Sequence, residues 1–451
     1  MLHVIIRKIY MEIFCGMKNN LIGEYDIQAP YERSTMPNGL RVITALMPAT
    51  RSISAALYIG TGSRYEEDRE AGVSHYLEHM LFKGTNKRPH PKDVSEEIER
   101  VGGYINASTD KELTIYVSRV ARPHLPVAID LLSDMLLNSK FEINEIEKER
   151  QVILEEIHQI NDIPSQKSFL LSDGLMWPDQ AIGRDIAGTP ESVRGITKTM
   201  MLDYMGKQYS PNNISLVVAG QVSHVEIEDL VHDLSEMKNS SQSRDMVAAL
   251  NKTPEKRLSI EYRKTEQASI CLSFPALSVM DPDRHPLDLL SAILGEGMAS
   301  RLFLQLREEQ GLVYDVGTSV SKLKDTGSMT IYAGTEPKNA PKAIRGIIDE
   351  LSRVSNDLKE SELNRARELL KGRLLLGLED TRGISSWLGY QETLMDQIYT
   401  PEDVVKSLDS VTVEDIKRVA SKLFRNDLYR LAVVGPFRSE KRFQKILENI
   451  G

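Results

Sequence analysis

His75, Glu78 and His79 stand at i, i+3 and i+4 within the segment GVSHYLEHMLFKGT at 72–85. On a helix this spacing projects all three side chains from one face within a turn, so two imidazoles can reach one metal ion. From composition alone, a His-x-x-acid-His run is expected only about 0.03 times in a chain of this length. The rest of the predicted helix carries Val73, Leu77, Met80 and Leu81, so the element reads as buried, where imidazoles and a carboxylate need partners. The account without a metal is a pair of core histidines hydrogen-bonded to a glutamate. Cys15 and Cys271 are the two cysteines; thiolates alone cannot close a zinc site, and any metal must rest on His and carboxylate.

Two histidines leave a catalytic zinc short of its usual three protein ligands. Periodicity predicts a helix over 144–160 with an apolar stripe of Ile146, Ile153, Ile157 and Ile160. Glu149 and Glu156 fall on that stripe, and Glu147 and Glu155 lie about 100° off it. Carboxylates on a core-facing stripe are costly unless they bind a metal or pair with cations, so Glu149 and Glu156 are the candidates. A solvated acidic helix with Lys148 and Arg150 as neighbours accounts for Glu147 and Glu155, and poorly for the other two.

The elements that must position these residues come in two copies. LeuValValAlaGly at 216–220 recurs as LeuAlaValValGly at 431–435, ThrIleTyr at 114–116 recurs at 330–332, and Asp68-Arg69 recurs as Asp283-Arg284, at offsets of 215 or 216. Three matches in one order predict a duplicated unit of roughly 200 residues. Within the first copy, 53–59 reads as an apolar strand, and 104–108 and 113–120 as a hairpin around the polar turn Thr109–Glu112. Residues 93–101, closed by Gly102-Gly103, and 125–138 read as helices. Hairpins mixed with helices predict an α+β fold: two homologous domains, each a mainly antiparallel sheet covered by helices, facing each other as a clamshell. The expected boundaries are an N-terminal extension at 1–30, a metal-binding domain at 31–235, a polar linker at 236–256 and a non-metal domain at 257–451. At the offset of 215, His75 maps to Leu290, Glu78 to Ile293, His79 to Leu294, Glu149 to Asn364 and Glu156 to Lys371, so the second copy lacks every part of the constellation. GlyThrGly at 60–62 and GlyGluGly at 295–297 lack phosphate-loop context and read as turns.

Composition bounds the partners. The 451 residues carry a net charge of −9, which weighs against nucleic acid and leaves room for cationic ligands. No apolar run is long enough for a membrane span. Met1–Gly16 is hydrophobic but interrupted by Arg7, Lys8 and Glu12; it reads as a disordered extension or an over-long reading frame ahead of Met17 in preference to a targeting signal.

The motif His-x-x-Glu-His, followed by Glu149 and by Glu156 with 76 residues between it and His79, resembles the inverted-motif zinc peptidases of the pitrilysin/insulinase family. HisTyrLeuGluHisMetLeuPheLysGlyThr and GluLysGluArgGlnValIleLeuGluGluIle particularly resemble the β-subunit of mitochondrial processing peptidase and its bacterial relatives, over about 31–450. The resemblance implies that His75, His79 and Glu156 ligate one zinc per chain, that Glu78 is the general base, and that Glu149 is a supporting acid. It also implies that Arg307 and Tyr314, in LeuArgGluGluGlnGlyLeuValTyr, reach across to the active site. Asn106-Ala107 would offer an edge strand to an extended peptide, and Phe82 would line a pocket beside the zinc. The expected activity is endopeptidase cleavage of short, unfolded or presequence-like peptides by a cytoplasmic homodimer or heterodimer with a related subunit. The alternative is a non-catalytic scaffold or partner subunit.

Overall fold

The computed structural model describes residues 31–240, 245–250, 255–395 and 397–449; Met1–Gly16 and the rest of the N-terminal extension lie outside them. The first half runs β1 (Tyr31–Thr35), β2 (Arg41–Leu46), β3 (Ser52–Ile59), α1 (Val73–Leu81), α2 (Pro91–Glu99), β4 (Tyr104–Thr109) and β5 (Thr114–Ala121). It continues through α3 (Leu125–Asn138), α4 (Ile143–Asp162) and α5 (Pro164–Met176) to β6 (Ile214–Gly220). The second half repeats the plan with β7 (Leu258–Tyr262), β8 (Ala268–Ala276), α6 (Arg284–Gly295), β9 (Val313–Lys322) and β10 (Gly327–Thr335). There follow α7 (Ala340–Asp357), α8 (Glu360–Gly377), α9 (Thr381–Leu394) and β11 (Arg430–Gly435). Among the described residues no helix is long and apolar enough to cross a membrane.

The sheet orders carry the duplication further than the sequence matches do. The first is β1-β2-β6-β3-β5-β4 and the second β7-β11-β8-β10-β9. Apart from the extra β1, each strand of one has a counterpart in the other, including a single parallel pair (β2 with β6, β7 with β11) in otherwise antiparallel sheets. In both, the last strand inserts beside the first long one, a non-local pairing that local periodicity does not reveal.

Each sheet is covered on one face by its own helices. In the first half, Val73, Leu77 and Met80 of α1 and Ile146, Ile153 and Ile157 of α4 join one core with Leu57, Tyr116 and Ile129. The other face is covered by a helix from the opposite half. Ile384 and Leu388 of α9 pack on Ala56, Tyr58, Val217 and Ala219 of β3 and β6, close enough that a Cβ on Gly389 would collide with the Tyr58 ring. Reciprocally, Leu175 of α5 packs on Cys271 and Ala432 of β8 and β11. Strands sandwiched in this way are apolar on both faces, which is why β6 and β11 read as continuous hydrophobic runs.

A buried ion cluster also joins the halves. The Thr109–Glu112 turn is polar as expected, yet Lys111 and Glu112 are buried. Arg64, 1% exposed, meets Glu112 at 2.5 Å and Asp325 at 2.7 Å, and also donates to the carbonyl of Val247 in the connecting segment. Glu112 in turn accepts the Lys324 backbone N–H at 2.9 Å. A buried guanidinium is tolerable only with this complement of acceptors.

Candidate metal centre

α1 begins at Gly72, whose φ of +95° is left-handed and whose Cβ, if present, would lie 2.5 Å from the Ala187 carbonyl oxygen. Glycine is therefore required there, and it brings no capping side chain. Glu66 supplies the cap from outside the helix: its two oxygens accept the Gly72 and Ser74 backbone N–H groups, each at 2.8 Å. Ser74 Oγ donates to Tyr204 Oη at 2.9 Å, and Tyr204 donates to the Gly62 carbonyl. The first turn of α1 is thereby held one residue before His75.

α4 crosses α1 with its charged residues sorted by burial. Tyr76 donates to the Ile146 carbonyl, and Arg150 stacks over the Tyr76 ring with its guanidinium 5.6 Å from the centroid. Arg150 is buried rather than a solvated neighbour of the acids, because it donates to the carbonyls of Val193 and Ile196 at the end of the short helix Pro190–Gly195. This contact sets the rotation of α4. It turns Glu149 and Glu156 towards α1 and leaves Glu147 and Glu155 outside, where Glu147 pairs with Arg150.

The result is a cluster of His75, His79 and Glu156, with one potential ligand atom of each lying within 4.8 Å of the others; among the described residues it is the group of this kind. The two Nε2 atoms are 3.3 Å apart, and Glu156 Oε2 is 3.7 Å from His75 Nε2 and 3.5 Å from His79 Nε2. Tetrahedral zinc with bonds near 2.0–2.1 Å separates its ligand atoms by about 3.3 Å, so these spacings are those of three corners of the tetrahedron. Protonation fits as well. Glu149 Oε2 accepts the Nδ1–H of His79 at 3.0 Å, which leaves Nε2 as the lone-pair nitrogen facing the cluster. Lys83, just past the end of α1, holds the other Glu149 oxygen at 2.8 Å. Among the described residues no group meets the buried Nδ1 of His75.

The electrostatics follow from burial and neighbours. Burial, reinforced by His79, lowers the His75 pKa to about 4, keeping the ring neutral and able to donate a lone pair. Burial acts downward on His79 too, but Glu149, Glu156 and Glu78 outweigh it and raise its pKa, as a site built for a cation would. Burial pushes Glu149 up, and His79 and Lys83 together pull it below the usual range, so it stays ionised. Glu78 does not join the ligand cluster. Its Oε2 accepts the Thr109 hydroxyl at 2.6 Å, and burial, only partly offset by that bond and by His79, raises its pKa. A carboxylate of raised pKa is a stronger proton acceptor than an ordinary one.

Next to His75, Glu78 and Glu156 lies a cleft of about 620 Å³, walled by the end of β4, the α4–α5 elbow and residues 185–187. β4 is the free edge of the first sheet. On it, Asn106 is exposed, donates to Tyr104 Oη, and accepts the Ala107 backbone N–H at 2.9 Å through its Oδ1. Phe82 ends α1 and packs against the core, its ring 6.4 Å from that of Tyr116; it is not part of the cleft wall. Arg307 and Tyr314 also lie off that wall. Arg307 stacks on Phe303 within the π-helical turn Phe303–Glu309, and Tyr314, on β9, donates to the Thr335 carbonyl. The residues not anticipated are Glu66, Lys83 and Thr109. Lys83 had a signal in its i, i+4 spacing from His79, whereas Glu66 and Thr109 contact α1 from loop and strand ends that no period marks.

In the second half, Leu290, Ile293 and Leu294 of α6 are fully buried among apolar neighbours. Lys371 stands where Glu156 does in the first half and pairs with Asp409 at 2.9 Å and Glu368 at 2.8 Å. With a cation in place of the carboxylate, the second half has no equivalent of the His75–His79–Glu156 cluster among the described residues.

Residues 41–189 match the family described as Insulinase (Peptidase family M16), and residues 195–370 match the Peptidase M16 inactive domain. An uncharacterized zinc protease of Bacillus subtilis, YmxG, is 34% identical over 90% of this chain and 98% of its own length. The chain belongs to the M16 peptidase family. An uncharacterized zinc protease of Streptomyces coelicolor is 35% identical over 93% of this chain and 92% of its own. In fold, the M16 chain is similar to a protease from Helicobacter pylori (TM-score 0.85, 21% identity, 90% of this chain and 99% of that one). It is also similar to a chain of complex III2 from Candida albicans (TM-score 0.81, 18% identity, 93% and 99%). At these identities the two structures speak for the fold alone.

Proposed function

We propose that this protein is a zinc-dependent endopeptidase that hydrolyses short, unfolded or presequence-like peptides. The observation that carries the reading is the triad of ligand atoms from His75, His79 and Glu156 at tetrahedral spacing, with Glu78 adjacent and outside it. Zinc held by those three residues supplies Lewis acidity, polarising a peptide carbonyl and acidifying water. The chain's own groups do the rest. Glu78, held by Thr109, takes the proton of the attacking water on its carboxylate and returns it to the leaving amine nitrogen. Glu149 holds His79 in the tautomer that points Nε2 inward. The free edge of β4 offers backbone groups to an extended peptide, with Asn106 releasing the Ala107 N–H to it. The reading includes one zinc per chain, a cytoplasmic location, and a dimer with a second copy or a related subunit. Arg307 and Tyr314 would reach across from the second half to donate hydrogen bonds to the substrate carbonyl; neither lines the cleft in the structure.

Glu78→Gln tests it. Zinc content should stay at one per chain while kcat/KM on a peptide mixture falls about 10²–10⁴-fold; a zinc-loaded variant with wild-type cleavage would end the reading. The second reading, a non-catalytic scaffold or partner subunit, draws on the match of residues 195–370 to the Peptidase M16 inactive domain. It predicts no chelator-sensitive cleavage by the zinc-loaded wild type.

A further inference from the structure

The wall of the cleft says which side chains suit it, and this inference rests on the peptidase reading above. Beyond Glu156, the α4–α5 elbow presents Ile160, Ile163 and Leu170 to the cleft, and Ile186 faces it from the following loop. All four are half-buried, leaving apolar surface uncovered. Between them stand the neutral amides of Gln159 and Gln166, and among the described residues no Lys or Arg lines the cleft.

Its acids are already engaged. Glu156 belongs to the histidine cluster, and Glu78 accepts from Thr109. Asp185, the remaining carboxylate of the wall, accepts the Ala187 backbone N–H at 3.0 Å. Lys111 and Lys167 influence Asp185 from outside the wall; Lys111 is paired with Asp173 at 2.6 Å and Lys167 donates to Asn161 at 2.6 Å. With a divalent cation offsetting Glu78 and Glu156, the cleft offers a basic side chain one partly engaged acid and offers an acidic side chain only neutral amide and hydroxyl donors. Four aliphatic groups, by contrast, are ready to exclude water.

We propose that the Ile160–Ile163–Leu170–Ile186 wall is a subsite that selects an aliphatic side chain in the bound peptide over acidic and basic ones. Burying the peptide's aliphatic group covers apolar surface on both partners, whereas a charged one is desolvated without a full partner. The four aliphatic side chains supply the apolar surface, and Gln159 and Gln166 keep the wall between them uncharged.

The test uses the full zinc-loaded chain and a quenched fluorescent peptide in which each position is in turn Leu, Lys or Glu. At one position Leu should exceed Lys and Glu in kcat/KM by about 10- to 30-fold. Gln166→Glu, at an exposed position, should narrow the Leu-over-Lys ratio there at least threefold, and Leu170→Asp should reverse it, with other positions unmoved. Fluorescence anisotropy of the same peptides with zinc-loaded Glu78→Gln supplies a readout independent of cleavage. If no peptide is cut yet this variant binds with the Leu preference, the peptidase reading fails and the subsite stands. Lys equal to or better than Leu at every position overturns the subsite, as does a Leu preference that Gln166→Glu leaves untouched. Should Leu170→Asp fail to fold, the wild-type series and Gln166→Glu decide.

Discussion

Replacing Glu149 with Gln is a nearly isosteric change that removes one charge from the outer side of the site. The carboxylate now serves two donors at once, His79 Nδ1–H at 3.0 Å and Lys83 Nζ at 2.8 Å, and its side chain is 9% exposed. A glutamine has one acceptor oxygen. If that oxygen stays on His79, the amide NH2 confronts the Lys83 ammonium; if the amide flips, His79 loses its partner and its tautomer is no longer set. Either way a donor is stranded, at about 1–3 kcal/mol. The portion that reaches the metal should match the usual loss for a ligand-orienting carboxylate, about 10- to 100-fold in affinity, or about 1.4–2.8 kcal/mol. Competition with a chromophoric chelator gives the zinc Kd, and urea unfolding with and without zinc gives the remainder. The double change Glu149→Gln with Lys83→Met separates the two parts: it should recover stability by removing the stranded ammonium, while zinc affinity stays low. A folded Glu149→Gln protein whose zinc Kd is within twofold of wild type would refute the role given to this carboxylate.

Arg64→Met should destabilise the protein by about 3–5 kcal/mol in urea melts, because it leaves Glu112, 2% exposed, as a buried charge without its partner; a loss below about 1 kcal/mol would show that the cluster contributes little to joining the halves. Burial, working against two backbone donors, lifts Glu66 from an ordinary 4.5 to about 7. A carboxyl that holds its proton more tightly when folded contributes most below pH 4.5, and that contribution is lost as pH rises through about 7. Wild-type stability should therefore fall relative to Glu66→Gln across that window, by on the order of 3 kcal/mol, and parallel curves would refute it. Stripping metal with a chelator should abolish cleavage and lower the unfolding free energy, and zinc at 100 times its Kd should restore about 2.7 kcal/mol; stability indifferent to zinc would count against a site at His75, His79 and Glu156.

The local part of the centre was legible because it depends on helical period alone. His75, Glu78 and His79 share a face of α1 wherever that helix lies, and Glu149 and Glu156 share a stripe of α4 for the same reason. The duplication was legible because equivalent strands keep similar apolar runs, and the loss from α6 and α8 of every counterpart to the cluster residues followed from the offset. What period cannot supply is the division of labour between two acids on one stripe. Glu149 meets Nδ1 of His79 and Glu156 approaches its Nε2 only because α1 and α4 cross where Arg150 ties α4 to the end of Pro190–Gly195.

Charge in a turn reads as solvated, so nothing in Thr109–Glu112 announced that Glu112 is buried against Arg64 and the backbone of Lys324, more than 200 residues later. The same holds for α5 and α9. Each is an ordinary amphipathic helix in sequence, and only the assembled chain puts each on the sheet of the opposite half. The sequence by itself determined which metal-ligating residue types share a helix face and which copy keeps them, since side-chain type and spacing within one helix are local properties. The tertiary structure decided which nitrogen faces inward, which carboxylate orients and which approaches the metal position, and what walls the cleft, since those depend on contacts between segments distant in the chain and on the exclusion of water that only packing brings.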